Sequence, residues 1–176
     1  MKKIITMICL LLSTQSAAAA MAMSNSEPTA LLIPIINSEG KQIGAAQLVQ
    51  KADKVFVHIE AEKLAPGMHG VHFHSVGKCD TPDFKSAGDH FNPLSKQHGF
   101  NNSKGYHSGD LPNIEVGADG KVIANIASAD VTLQQGKPNS LLKEDGTAII
   151  IHEKADDYVT DPSGNSGNRI ACGIIR

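Results

Sequence analysis

The segment GMHGVHFH, residues 67–74, places three imidazoles within six residues of a strand-like run. Successive side chains of a β-strand point to opposite faces, so His72 and His74 share one face while Val71 and Phe73 share the other. One face is therefore apolar and directed towards a core. The other presents two imidazoles side by side, where they could bind one metal ion.

Short runs of β-branched and other apolar residues recur along the chain, with turn-forming sequences between them. No window shows a helical period over three turns. The pattern predicts an all-β fold, an antiparallel sandwich or flattened barrel. The predicted strands cover residues 31–36, 44–49, 55–61, 71–74, 122–126, 131–133, 148–152 and 170–175.

Two long segments, residues 75–120 and 153–168, interrupt this rhythm and are rich in Gly, Asp, Asn, Ser and His. Loops of this length in a compact domain are usually functional or disordered. Metal ligands and a disulfide within them would supply the order that a hydrophobic core cannot. We therefore expect two functional loops.

The amino terminus has the pattern of a secretory signal peptide. Lys2 and Lys3 precede an apolar run and then a stretch of small residues, which predicts a signal peptide over residues 1–22 with cleavage near 19–22. The run is too short for a membrane span, so no membrane association is expected of the mature form. The protein is therefore expected to be secreted, with a bacterial periplasm as the favoured location and the exterior of a Gram-positive bacterium as the alternative.

The remaining residues, 23–176, suit one domain with a sizeable core. Without Lys2 and Lys3, the 14 basic and 18 acidic residues give a net charge of −4, which argues against nucleic acid as a partner. This part retains two cysteines, Cys79 and Cys172. In an exported protein such a pair predicts a disulfide.

The first long segment contains a second set of candidate ligands: His90, His98, His107 and Asp110. Three imidazoles and one carboxylate satisfy a tetrahedral Zn²⁺ ion with no open position, which is typical of a structural site.

His72, His74 and His152 remain for another ion, and an all-imidazole set suits copper. If His90 placed one ring nitrogen on each ion, the copper would have four nitrogens and the zinc set would also be complete. Counting ligands leaves His90 well placed for this bridge.

The segments GMHGVHFHSVGKC, SAGDHFNPLSKQHG, GYHSGDLPN, IIHEKADD and GNSGNRIACGII strongly resemble the copper–zinc superoxide dismutase family. The resemblance covers almost the whole mature chain. It implies an eight-stranded antiparallel Greek-key β-barrel with one copper and one zinc ion per chain. Carried over position by position, it implies copper ligands His72, His74, His90 and His152, zinc ligands His90, His98, His107 and Asp110, and the disulfide Cys79–Cys172.

The resemblance also implies roles beyond the ligands. Asp156 would accept hydrogen bonds from His72 and His98 and so link the two sites. Arg169 would lie at the mouth of the copper channel and, with His90, take part in catalysis. His69 falls on the apolar face by alternation and is expected to support the ligands rather than bind metal.

The implied reaction is the dismutation of superoxide to O₂ and H₂O₂ by alternating reduction and oxidation of a copper ion that an imidazolate bridges to zinc. The alternative is a non-enzymatic copper- and zinc-binding protein of the same fold. A zinc hydrolase is disfavoured because no base is evident beside an open zinc position. The chain could act as a monomer or a homodimer.

Two further expectations concern residues outside the ligand sets. His58 lies in a separate strand-like run and is expected to be an ordinary strand residue. The segment between Asp157 and Arg169 is shorter than in the animal enzymes and lacks their charged cluster. Steering of the anionic substrate would then fall to other cations, such as Lys85 or Lys104.

Overall fold

A computed structural model describes residues 30–176. The predicted signal peptide and its cleavage position lie outside these residues. Regular structure within them consists of nine strands and one 3₁₀ turn at Lys85–Ala87. The strands are β1 (Ala30–Asn37), β2 (Gln42–Lys51), β3 (Lys54–Ala61), β4 (Gly67–His69), β5 (Val71–His74), β6 (Ile114–Val116), β7 (Val122–Ser128), β8 (Thr147–His152) and β9 (Arg169–Ile175).

Seven strands form one antiparallel sheet in the order β5-β8-β9-β1-β2-β3-β7, and β4 pairs with β6. Only Gly70 separates β4 from β5, and a tight turn joins β6 to β7, with the Gly117 N–H donating to the Lys121 carbonyl at 2.9 Å. If β4 and β5 are counted as one interrupted strand, the number is eight. The predicted all-β antiparallel fold is confirmed. Greek-key connectivity stays a prediction, with which the connections β3–β4 and β7–β8 are compatible.

The core follows from strand alternation, as β3 shows. Val55, Val57 and Ile59 are buried, whereas the intervening Phe56 is 40% exposed. Each fully buried Val or Ile stabilises the fold by about 1.5–3 kcal/mol relative to an exposed one. Inward-facing residues of this kind from all the long strands meet in one cluster.

The sequence misjudged three short segments. Residues 131–133 are not a strand, because the Gln50 side chain accepts hydrogen bonds from the Leu133 N–H at 2.8 Å and the Thr132 hydroxyl at 3.0 Å. Val131 and Leu133 are still buried in the core. Strands β4 and β6 were missed because three residues are too few to show alternation.

The outer faces of β5 and β8 are covered, and all their residues are buried. The first long loop, residues 75–113, folds over them and forms a small second cluster in which Phe84 packs with Ile150 and Cys172. The predicted disulfide Cys79–Cys172 is present, with its Cα atoms 5.8 Å apart. It fastens this loop to β9. The second long loop runs from 153 to 168, as predicted.

No helix within residues 30–176 is long and apolar enough to cross a membrane.

Replacing both Cys79 and Cys172 by Ser is expected to lower the free energy of unfolding by about 2–5 kcal/mol, because the disulfide restricts the unfolded chain over a long loop. The two cysteines are 93 residues apart in the sequence. Urea unfolding of the metal-free protein measures the change. The reduced wild type should match the double variant, and an unchanged midpoint in both would contradict the prediction.

Candidate metal centre

The backbone of Phe73 in β5 organises the site. Its N–H donates to the Gly109 carbonyl at 2.8 Å, and its carbonyl accepts from the Phe91 N–H at 2.8 Å. The loop therefore runs beside β5, with His90 paired to His74 and Asp110 to His72. A side chain at Gly109 would collide with the Phe73 carbonyl oxygen, so this approach requires glycine.

Four imidazole nitrogens converge beside this strand. One ring nitrogen from each of four histidines lies within 4.8 Å of the others. Residues 30–176 contain five buried side-chain polar atoms without a hydrogen-bond partner, and four of them belong to these rings. They are His72 Nδ1, His74 Nε2, His90 Nε2 and His152 Nε2. Burying polar atoms without partners is costly, so this donor set fits a metal ion, and four imidazoles suit copper.

The second nitrogen of each ring is held by a hydrogen bond. His74 Nδ1 donates to the Gly88 carbonyl at 2.9 Å, and His152 Nδ1 lies 3.3 Å from the Gly167 carbonyl. Because a carbonyl oxygen only accepts, the proton sits on Nδ1 and leaves the Nε2 lone pair directed at the other rings. The rings are thus oriented as metal ligands are in proteins.

A second group surrounds Asp110 Oδ1. The Nδ1 atoms of His90, His98 and His107 lie 2.9, 3.0 and 3.2 Å from this oxygen. His107 Nδ1 is also 3.4 Å from His90 Nδ1. A tetrahedral zinc ion about 2.0–2.1 Å from each donor would place the donors roughly 3.3 Å apart. These four residues fit zinc, and His90 faces both groups with its two nitrogens.

His72 also lies within 4.8 Å of the donors of His90, His98 and Asp110. Its nitrogens are engaged elsewhere, however. His72 Nε2 contacts Asp156 at 2.8 Å, and Nδ1 is one of the four convergent atoms. His107 is therefore the better fourth member of the zinc-like group.

Burial sets the charge of the four convergent histidines. It lowers the pKa of His90 to about 3 and that of His152 to about 2, assisted by the neighbouring His72. Burial also lowers the pKa values of His72 and His74. All four rings are therefore neutral at pH 7, which is the form that binds metals.

Carboxylates reverse this effect at His98. Burial opposes its charge, but hydrogen bonds with Asp110 and Asp156 outweigh burial and raise the pKa of His98 to about 9. Burial would likewise raise the pKa of Asp110, but hydrogen bonds from His107, His90 and His98 hold it well below its usual range. Without metal, the protonated ring of His98 bridges Asp110 and Asp156. A metal ion that binds at His98 Nδ1 must displace the proton there.

Asp156 joins the two groups. Its Oδ2 contacts His72 Nε2 at 2.8 Å and its Oδ1 contacts His98 Nε2 at 2.9 Å. Asn113, which the sequence did not single out, holds the Asp156 backbone with bonds of 2.8 and 2.9 Å. Only a long-range contact reveals Asn113, so no local signal could have found it.

The two remaining histidines lie outside both groups. His69 is buried and its ring nitrogens contact the carbonyls of His152 at 2.7 Å and Ala65 at 2.8 Å. Its contact with the carbonyl of His152 holds the backbone of this residue in place. His58 lies on the outer face of β3 and contacts Asn125 at 2.8 Å and Glu60 at 2.9 Å.

A cavity opens onto three of the four convergent histidines, His74, His90 and His152. Arg169, half-buried at the start of β9, lies at its wall with its guanidinium anchored to the Phe84 carbonyl at 2.9 Å. Lys96, which the sequence did not single out, also lines the cavity. Lys85 instead pairs with Asp83 at 3.0 Å and borders an adjoining groove. The lining residues are His74, Asp89, His90, Asn92, Lys96, His107, His152, Asp161, Pro162, Ser163, Gly167 and Arg169.

Comparison with known proteins identifies the family. Residues 42–175 match the family model described as copper/zinc superoxide dismutase. The chain belongs to this family.

Two relatives and one solved structure illustrate the similarity. Superoxide dismutase-like protein YojM of Bacillus subtilis is 51% identical over 81% of this chain and 74% of its own length. Copper–zinc superoxide dismutase 1 of Aquifex aeolicus is 49% identical over 81% of this chain and 85% of its own. A crystal structure of a superoxide dismutase-like protein from Bacillus subtilis has a TM-score of 0.80 and 50% identity, covering 82% of this chain and 97% of that one. The fold and the family thus agree.

Stripped of metal, the protein is expected to be most stable near pH 6.5. The folded pKa values of His90 and His152 lie below the unfolded value of about 6.5, so the unfolded chain binds more protons and stability falls as pH decreases from about 6.5 towards 3. The raised pKa of His98 stabilises the fold fully below about 6.5, and this contribution is lost as pH rises to about 9.

Urea unfolding in the presence of a chelator, from pH 4 to pH 9, measures this profile. The loss between pH 6.5 and pH 4 should amount to several kcal/mol. Stability that increases steadily on acidification would contradict the prediction.

Proposed function

We propose that the protein is an enzyme that dismutates superoxide, with one copper and one zinc ion per chain. The observation that carries this proposal is the set of four buried, unpartnered imidazole nitrogens, three of whose rings line a cavity. Family membership supports it, as does the Aquifex aeolicus relative named a copper–zinc superoxide dismutase.

The proposed ligands follow the two groups of donors. His90 belongs to both, since Nδ1 faces Asp110 and Nε2 faces the other histidines. It would bridge the ions as an imidazolate. The copper ligands are His72, His74, His90 and His152, and the zinc ligands are His90, His98, His107 and Asp110.

When bound, copper supplies one-electron exchange with superoxide, and zinc supplies a fixed positive charge without redox chemistry. The overall reaction consumes two superoxide anions and two protons and yields one O₂ and one H₂O₂. His90 lines the cavity, and its unpartnered Nε2 could hold one of the two protons and release it to the peroxide product. Without metal, Asp110 orients the ring of His90 through Nδ1, and with zinc bound both groups would be ligands of that ion.

Arg169 binds the anion in this proposal. Its guanidinium shares the cavity with His74, His90 and His152, and the Phe84 carbonyl holds it in one orientation. A fixed planar cation with several donors suits a small oxyanion. Arg169 would therefore position superoxide beside the copper ligands.

A non-enzymatic protein that binds copper and zinc is the second candidate. It is favoured by the 51% identical relative that is named superoxide dismutase-like. The complete set of four convergent histidines together with Arg169 favours the enzyme, since a binding protein does not require a cation in the cavity.

We also propose export to a bacterial periplasm. The Cys79–Cys172 disulfide is typical of an oxidising compartment, and the relatives include bacterial copper–zinc superoxide dismutases.

The function is tested by stripping the protein, reloading it with copper and zinc, and measuring metal content and superoxide decay. His74→Ala removes one convergent nitrogen. It should abolish copper binding and lower the rate of superoxide decay at least about 100-fold. His58→Ala is the matched control, because the ring of His58 hydrogen-bonds to Asn125 and Glu60 and belongs to neither donor group. Full copper occupancy without dismutation in the wild type would support the non-enzymatic alternative.

Lys96 is expected to assist capture of the anion. Lys96→Gln should lower kcat/KM about 2–3-fold at low salt, the size of a Coulomb attraction of roughly 0.5 kcal/mol through water. The salt dependence of the rate should flatten as well. Lys85→Gln serves as the comparison, since Lys85 is neutralised by Asp83 outside the cavity. Equal salt slopes for the two variants would argue against a role for Lys96.

A further inference from the structure

Tyr158 lies where three segments of the site meet. Its carbonyl accepts a hydrogen bond from the Asn101 N–H at 2.9 Å, in the loop that carries His98. Its hydroxyl accepts one from the Asn113 N–H at 2.7 Å, just before β6. Its own N–H donates to Asp156 Oδ1 at 2.6 Å. One residue therefore contacts the first long loop, the approach to β6 and the carboxylate that joins the two donor groups.

The hydroxyl acts on Asp156 through Asn113. The Asn113 amide accepts from the Asp156 N–H at 2.8 Å and donates to its carbonyl at 2.9 Å. The phenolic oxygen fixes the backbone of Asn113 and thus the position from which this amide holds Asp156. Asp156 in turn contacts His72 and His98. The chain of contacts ends on one member of each donor group.

The ring of Tyr158 adds a second attachment. Its centroid is 5.6 Å from that of Phe100, which packs at 4.6 Å against Tyr106. A side chain at Gly99 would collide with the Tyr158 carbonyl group, so the two segments are in close contact there. The Gly99 N–H donates to Asp110 Oδ2 at 3.0 Å. Packing against Tyr158 thereby fixes the segment next to His98.

The backbone of Tyr158 has a φ of +61°, in the left-handed region that non-glycine residues rarely adopt. Such a conformation persists only where the surroundings impose it, and it is common at functional sites. Here the imposed conformation directs the N–H to Asp156 and the hydroxyl to Asn113.

We propose that Tyr158 is a positioning residue for the metal centre: through its hydroxyl and its N–H it sets the hydrogen bonding of Asp156 and thereby retains zinc in the group around Asp110. The proposal rests on the zinc assignment made above. Residues that orient metal ligands commonly contribute 10–100-fold to metal affinity. Because the Tyr158 hydroxyl acts through Asn113, we expect an effect at the lower end of this range.

The test compares Tyr158→Phe with Tyr106→Phe in the metal-loaded protein. Both substitutions delete one hydroxyl from the same aromatic cluster, but the Tyr106 hydroxyl donates to Asp130 at 3.2 Å, away from Asp156. Zinc release to a chromophoric chelator should be about 10-fold faster in Tyr158→Phe and unchanged in Tyr106→Phe. The visible spectrum of Co²⁺ bound in place of zinc should shift only in Tyr158→Phe.

Asn113→Ala provides a second variant, since it removes the side-chain amide that holds the backbone of Asp156. It should also speed zinc release, and the double variant should add little because both residues act through Asp156. If Tyr158→Phe lowers the thermal stability of the metal-free protein but matches Tyr106→Phe in zinc release and Co²⁺ spectrum, the proposal is wrong. Neither readout needs dismutation. Inactivity of the wild type would therefore overturn the proposed function but not the role of Tyr158.

Discussion

The structure depends on buried carboxylates that hold buried imidazoles. Asp110 in the first long loop and Asp156 in the second contact four of the histidines between them. Their charges are compensated only while the rings stay in place, and the rings keep their orientation only while the carboxylates accept their hydrogen bonds. Removal of either partner leaves an uncompensated buried group. The loops, the ligands and the sheet are therefore coupled.

The sheet and the loops are ordered by different interactions. Strand alternation fills the interior, where Val71 and Phe73 are fully buried. On the opposite side of the same strand, His72 and His74 are equally buried although they are polar. Covering this side requires the backbone contacts of Phe73 with the loop and the disulfide that fastens the loop to β9. Polar contacts, the disulfide and the small cluster around Phe84 thus take the place of an extensive second hydrophobic layer.

The sequence predicted the parts of the molecule that leave a local pattern. The alternation around His72 and the cysteine pair led to the fold and the disulfide, and the long motifs led to the family. Asn113, Tyr158 and Lys96 were missed because their contacts join segments far apart in the chain or depend on the shape of the cavity. The error at residues 131–133 has a similar origin, since the side chain of Gln50 satisfies a backbone that alternation assigned to a ladder. Tertiary contacts, rather than local preference, decide such positions.

The position of the donors on the outside of β5 separates two functions of one strand. The inward residues pack in the core, while the outward ones contact the loops and His152 at the end of β8. The packing of the core is therefore separate from the ligands, which lie on the opposite face of the strand. The binding chemistry of such a fold is carried by one face of a strand and by the loops that cover it. It can therefore change while the core stays the same.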